Sequence, residues 1–118
     1  MTVERVVFLV NPASANGSTG KRWPELARAA ATEGLVGDTF VSQRPGHLSD
    51  LARRAAREGA TLLVVVGGDG SVNETVNGLV EIPDPPAVAV VPRGTGWDFT
   101  RTFAIPRDIR KAARVALH

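Results

Sequence analysis

The chain has 118 residues, 43% of them hydrophobic, with a formal net charge of +2 and no cysteine. This size allows one domain with a single core, and the lack of cysteine excludes disulfides and thiolate zinc sites. No apolar run is long enough to span a bilayer, no signal peptide begins the chain, and the scattered arginines lack the interleaved aromatic residues of a nucleic-acid-binding surface, so we expect a cytoplasmic protein without a nucleic-acid partner.

Four apolar segments are predicted to form strands. Three of them, residues 5–10, 61–66 and 87–91, are continuously apolar. This pattern is typical of strands that are buried on both faces of a parallel sheet. The remaining segment, residues 38–42, contains polar as well as apolar residues.

Helical patterns alternate with these strands. The first covers residues 24–33, where Pro24 suits the first turn of a helix and Gly34 suits its C-terminal cap. The second covers residues 47–58 and the third about 71–80, each with apolar residues at helical spacing. The alternation predicts an α/β fold: a three-layer, Rossmann-like domain with a mostly parallel sheet and helices on both faces.

The C-terminal segment has a helical pattern of its own. It begins after Pro106 and is still regular at His118. We therefore expect residues 1–118 to be one domain of a longer protein.

Glycine-rich loops follow the predicted strands. In such sheets, the loops at the carboxyl ends of the strands form the ligand crevice. Gly67, Gly68 and Gly70 predict a backbone with positive φ whose bare N–H groups meet a phosphate at the start of a helix. The alternative is an ordinary tight turn, in which Ser71 and Glu74 form a capping box.

Asp69 lies among these glycines. A carboxylate there would repel a phosphate unless it holds a cation, aligns a nucleophile or takes up a proton. A turn-forming role is the alternative. Asp98, in the last glycine-rich loop, has the same two possible roles, one in binding or catalysis and one in forming the turn. In that loop Arg93 could balance phosphate charge.

Three common templates do not fit. A Walker A loop would need glycine at Ala15 and a hydroxyl at Arg22. The first strand is not followed by the G-x-G-x-x-G of dinucleotide-binding proteins. Neither a Ser-His-acid triad nor a G-x-S-x-G elbow can be assembled.

Four segments carry a family resemblance: NPASANG, SQRPGH, GGDGSVNETVNGL and PRGTGWDFTR. In order and spacing, the chain resembles the catalytic domain shared by diacylglycerol kinases, bacterial lipid kinases, sphingosine kinases and ceramide kinases. GGDG alone also occurs in NAD kinases and phosphofructokinases. An NAD-kinase-like enzyme and a non-catalytic module that binds an anion or nucleotide therefore stay open as alternatives.

The resemblance implies an ATP-dependent lipid kinase. ATP would be the donor, Mg²⁺ the metal, and the hydroxyl of a lipid such as diacylglycerol the acceptor. Asp69 would be the catalytic residue, close to the transferred phosphate or its Mg²⁺. The implied nucleotide-binding residues are Asn11 and Ser42 near adenine, then Gly67, Gly68, Asp69, Gly70, Ser71, Val72, Asn73, Gly94 and Thr95, with Asp98, Glu74 and Arg93 in support.

The sequence also departs from the family. Ser71 replaces the usual threonine and keeps its hydroxyl, whereas Trp97 replaces the usual asparagine and loses a polar group. Family members carry a second, β-rich domain that completes the lipid site, so we expect weak ATP binding and little kinase activity from this chain alone. Peripheral contact with the inner face of the membrane and pairing of two copies stay open.

Overall fold

In a computed structural model, the described residues are 5–14, 16–32, 34–92 and 103–105, the last three and Pro92 for their backbone alone. The elements in this part of the chain are β1 (Val6–Val10), α1 (Ser18–Thr32), β2 (Asp38–Val41), α2 (His47–Arg57), β3 (Leu62–Gly67), α3 (Asp69–Gly78), β4 (Ala87–Pro92) and β5 (Phe103–Ile105).

The strands form one sheet in the order β2-β1-β3-β4-β5. The first four are parallel, and β5 pairs antiparallel with β4. The predicted α/β fold with a mostly parallel sheet is therefore confirmed. The sequence analysis missed β5, whose three residues are too few to show a strand pattern.

Helices cover both faces of the sheet. Successive residues of β1 and β3 point to opposite faces, as the pleat of a strand requires. One buried cluster packs against α2 and α3 and the other against α1. The first cluster includes Val7, Leu9, Leu48, Leu51, Ala52, Ala55, Leu63, Val65 and Leu79, and the second includes Phe8, Val10, Ala30, Val64, Val66 and Val91.

The second predicted helix is confirmed almost to the residue. Its apolar positions form the buried face of α2, and Gly59 follows with φ 95°. Helix α3 lies very close to α2, because a Cβ atom added at Gly78 would be 2.2 Å from the carbonyl oxygen of Ser49. Glycine at position 78 therefore permits this packing of the two helices.

The predicted start of α1 is wrong. The helix begins at Ser18, and Pro24 lies inside it. Asn16 and Gly17, with φ angles of 58° and 86°, turn the chain into the helix. The predicted end is correct, since Gly34 has φ 87° and its N–H donates to the carbonyl of Ala31.

The three described helices have 15, 11 and 10 residues. Within residues 5–92, where all three lie, none combines the length and the apolar character needed to cross it.

Candidate functional site

The carboxyl ends of three neighbouring strands meet at one edge of the sheet. The N–H of Asn11 donates to the carbonyl of Val66 at 3.1 Å, and the N–H of Ser42 donates to Val10 at 2.9 Å. The ladder of β2, β1 and β3 thus continues to the last residue before each loop. Asn11, Ser42 and Gly67 are therefore brought together, as the sequence predicted for loops on the same edge.

Asn11, Gly67 and Ser71 form a tight group, here named the closed cluster. The Asn11 amide nitrogen donates to the Ser71 hydroxyl at 3.1 Å, and its amide oxygen accepts from the N–H of Ala13 at 3.1 Å. A Cβ atom at Gly67 would lie 2.3 Å from the Ser71 hydroxyl oxygen. Glycine at position 67 is therefore required for close approach of α3 to β3.

Residues 68–70 form the open turn, which starts α3. All three are exposed, and no described atom lies within 4 Å of a Cβ added at Gly68 or Gly70. The predicted positive φ is wrong for all three glycines, since Gly68 has φ −104° and neither Gly67 nor Gly70 is left-handed. Gly68 and Gly70 instead provide open space and exposed backbone.

Among the described residues, the N-terminus of α3 has no side-chain cap. Gly68 is its N-cap residue, and no described side chain accepts from the first N–H groups. The alternative interpretation, a capping box of Ser71 and Glu74, is wrong, because α3 begins at Asp69 and Ser71 instead contacts Asn11. The leading N–H groups of a helix have no intrahelical acceptors, so they are free to bind an anion.

Asp69 extends from this open turn. Its carboxylate makes no hydrogen bond or ion pair with any residue in the described ranges, so the turn-forming alternative finds no support there. An acidic residue in the first turn is also favourable to the helix dipole. Nearby, Val72 packs against the core beneath α2 and α3, and Asn73 is exposed.

Glu74 lies one turn further along α3 and connects it to α2. Its Oε1 accepts from the N–H of Leu48 at 3.2 Å, and its carbonyl accepts from the Ser49 hydroxyl at 2.7 Å. The Leu48 N–H is one of the leading N–H groups of α2, whose N-cap Gly46 provides no side chain. Glu74 therefore caps α2 and not its own helix.

A cavity of about 310 Å³ lies beside the closed cluster. Its size is at the lower end of the range typical of small-molecule sites. The loops after β1 and β2 form most of its wall, and α3 contributes one acidic residue. Its lining residues are Asn11, Pro12, Ala13, Ser42, Gln43, Arg44, Pro45 and Glu74.

Arg44 lines the cavity but was not among the predicted site residues. Its guanidinium lies 3.3 Å from the Asp50 carboxylate, which also binds Arg53 at 3.2 Å. In the same loop, the N–H of Gln43 donates to Nδ1 of His47 at 2.9 Å. These bonds fix the loop between β2 and α2. The sequence signal that could have indicated Arg44 was the segment SQRPGH, in which it precedes a helix.

Several predicted site residues lie outside the described ranges. They are Arg93, Gly94, Thr95 and Asp98, together with Trp97. Their proposed roles stay predictions.

The described residues contain no preformed metal site with several protein ligands. No group of three or more His, Cys, Asp or Glu side chains occurs there that could hold a metal ion. Mg²⁺ is often bound by only one or two carboxylates together with substrate phosphates and water. Asp69 by itself is compatible with that mode.

Comparison with known proteins gives a consistent result. The model of a family described as "Diacylglycerol kinase catalytic domain" matches residues 5–118. The chain is 34% identical over 114 residues to a diacylglycerol kinase from Staphylococcus carnosus, covering 97% of this chain and 37% of that protein. A diacylglycerol kinase from Staphylococcus aureus strain MRSA252 is 32% identical, with 97% and 36% covered.

A solved structure agrees with these sequence matches. The crystal structure of a diacylglycerol kinase from Bacillus anthracis superposes with a TM-score of 0.67 and 28% identity. The superposition covers 98% of this chain and 42% of that one. The chain thus spans well under half the length of these relatives.

Proposed function

Because the chain belongs to the diacylglycerol kinase catalytic domain family, we propose that it supplies the ATP-binding part of a lipid kinase. The reaction would transfer the γ-phosphate of ATP to the hydroxyl of a lipid, with diacylglycerol as the acceptor that the relatives' names suggest. The open turn at the start of α3 is the observation that carries this proposal.

The open turn suits the phosphates of ATP. Its N–H groups lie at the positive end of a ten-residue helix, where no described side chain caps them. The two glycines leave the backbone uncovered, so phosphate oxygens can reach it directly. Gly68, Gly70 and the neighbouring N–H groups would hold the phosphates.

Asp69 would organise the charge of the reaction. Phosphoryl transfer depends mainly on positioning and on neutralising the phosphate oxygens. Bound Mg²⁺ supplies that neutralisation, and Asp69 is the described residue that would hold it. The carboxylate at the helix start is exposed and has no partner among the described residues, which supports this role.

The cavity would take the other end of the nucleotide. Glu74 on its wall disfavours phosphate by charge repulsion, whereas the open turn attracts phosphate. A nucleotide would therefore lie with its phosphates at the open turn and its base near Ser42 and Asn11. This orientation agrees with the roles predicted for those two residues.

The proposal also includes a binding site for the lipid. We expect lipid binding and further acidic groups in a second, β-rich domain, so that this chain alone has little kinase activity. Peripheral contact with a membrane surface and pairing of two copies are also predictions. Of the two enzyme families that the sequence left open, the comparisons support the lipid kinases over the NAD kinases.

Calorimetric titration of the 118-residue chain with ATP and Mg²⁺ tests the proposal. We expect measurable binding by the wild type and at least tenfold weaker binding by Gly68→Val. Valine fits the extended backbone at this position, and open space surrounds it. The variant should therefore keep its fold while its side chain occupies the phosphate position.

Thermal unfolding of both proteins provides the control. Equal melting temperatures with lost ATP binding would support a phosphate site. A folded wild type that binds no ATP, or a Gly68→Val variant that binds ATP as tightly as the wild type, would contradict the proposal for this chain. Binding of NAD in place of ATP would favour the NAD-kinase alternative.

A further inference from the structure

The polar groups of the cavity wall differ in how many hydrogen-bond donors and acceptors they keep available for a ligand. Both ends of the Asn11 amide are bonded within the chain, and the 60% exposed Arg44 pairs with Asp50 through one guanidinium nitrogen and keeps its other N–H donors. The hydroxyl of Ser42 and one carboxylate oxygen of Glu74 make no hydrogen bond to any described residue. Glu74 is therefore the charged group in this wall that still has an oxygen available.

Glu74 is held firmly in place. Its carbonyl accepts from the Ser49 hydroxyl and its Oε1 from the N–H of Leu48, so both backbone and side chain are tied to α2. The residue is half-buried. A carboxylate fixed in this way is a preorganised hydrogen-bond acceptor, since it need not reorient when a ligand enters.

An ionised carboxylate can only accept hydrogen bonds. It therefore favours a ligand that presents an N–H donor and disfavours one that presents a carbonyl oxygen. Purine nucleotides differ at position 6 in this respect, because ATP carries an amino group there whereas ITP and GTP carry an oxygen. The acceptor on the cavity wall thus suits a 6-aminopurine.

We infer that Glu74 selects the base of the nucleotide by accepting a hydrogen bond from the 6-amino group of adenine. This inference rests on the proposed function, since it requires the base to enter the cavity. It makes Glu74 a specificity-determining residue in addition to the cap of α2. A hydrogen bond to a charged group corresponds to a preference of about 10-fold to 100-fold for ATP over ITP.

The test is a calorimetric titration of the 118-residue chain with ATP, ITP and 2′-deoxy-ATP. We expect ATP and 2′-deoxy-ATP to bind similarly and ITP at least tenfold more weakly. In Glu74→Gln, the amide oxygen can still accept from the Leu48 N–H while the amide NH₂ faces the ligand. We therefore expect this variant to bind ATP and ITP within about threefold of each other.

Glu81→Gln is the matched control. It makes the same charge change at an exposed residue just beyond α3 and outside the cavity wall. We expect it to keep the wild-type preference for ATP. Melting temperatures of both variants show whether Glu74→Gln keeps its fold, and the ATP-to-ITP ratio within one folded protein does not depend on small losses of stability.

The outcomes separate the two proposals. Equal binding of ATP and ITP by the wild type, or an unchanged preference in Glu74→Gln, would overturn the role of Glu74 but not the proposed function. Loss of binding with 2′-deoxy-ATP but not with ITP would also overturn it, because the carboxylate would then contact the ribose. Absence of any nucleotide binding would overturn both this inference and the proposed function.

Discussion

The closed cluster and the open turn are neighbours in sequence but differ in burial and in packing. Gly67 is buried and must be glycine because Ser71 lies against it, whereas Gly68 and Gly70 are exposed with open space around them. The same residue type therefore serves packing at one position and access at the next. A glycine-rich loop can be part structure and part binding site, and only the contacts distinguish them.

Replacing Asp69 by asparagine should produce the largest effect. In a longer protein that contains this chain and phosphorylates a lipid, we expect turnover to fall by roughly 10²–10⁴. The reason is loss of the charge that would organise Mg²⁺ or a proton at the open turn. Steady-state assays with ATP and diacylglycerol would measure it.

The stability of that variant is the control. Asp69 makes no hydrogen bond or ion pair to any described side chain, so its loss should cost about 0.5 kcal/mol, the contribution of a carboxylate at a helix start. Turnover within twofold of the wild type would contradict a catalytic role.

Gly67→Ala should show that the closed cluster is structural. The added methyl group would meet the Ser71 hydroxyl and its Cβ, at 2.3 and 2.8 Å, so α3 or β3 must shift. We expect a loss of about 1–3 kcal/mol in the free energy of unfolding. Urea denaturation measures it, and Gly68→Ala, with less than about 0.5 kcal/mol of change, is the matched control. Equal stabilities of the two variants would remove the distinction between the regions.

Ser71→Ala tests the hydrogen bond inside the closed cluster. Ser71 is only 2% exposed, and its replacement leaves the Asn11 amide nitrogen without its partner. We expect a loss of about 1 kcal/mol in unfolding free energy. Urea denaturation would detect it, and Ser71→Thr, which keeps the hydroxyl, indicates whether the bond or the volume matters. An unchanged stability in Ser71→Ala would mean that the bond contributes nothing.

Gly70→Ala should give the smallest effect, and one of opposite sign. The position is helical, exposed and free of neighbours, so alanine should stabilise α3 by about 0.5 kcal/mol. The same methyl group should weaken ATP binding if phosphate contacts this turn. Paired denaturation and calorimetry would show a gain in stability with a loss of affinity, and a clear loss of stability would mean that the open turn is packed.

Much of the fold could be predicted from local patterns. The apolar runs of β1, β3 and β4 and the helical spacing in α2 each depend on nearby residues, and all proved correct. The start of α1 was missed because Asn16 and Gly17, not Pro24, set it through their backbone angles. Such angles leave a weak signal in the sequence.

The sequence predicted where the candidate site lies in the fold, but not which residues contact each other there. The loops after β1, β2 and β3 were correctly expected at one edge of the sheet, and the loop after β4 lies outside the described residues. The partners of Ser71 and Glu74 were not predicted, because the bonds to Asn11 and Leu48 join residues 60 and 26 positions apart. A capping box is a local pattern, and these two long-range bonds compete with it successfully.

The position of β1 has a consequence for synthesis of the chain. This strand pairs with β2 on one side and with β3 on the other, although β3 lies more than fifty residues later. During translation, its second edge stays unpaired until that segment leaves the ribosome, which takes roughly 3–11 s at ordinary elongation rates. A hydrophobic strand with one free edge for that interval is a natural substrate for a chaperone at the exit tunnel.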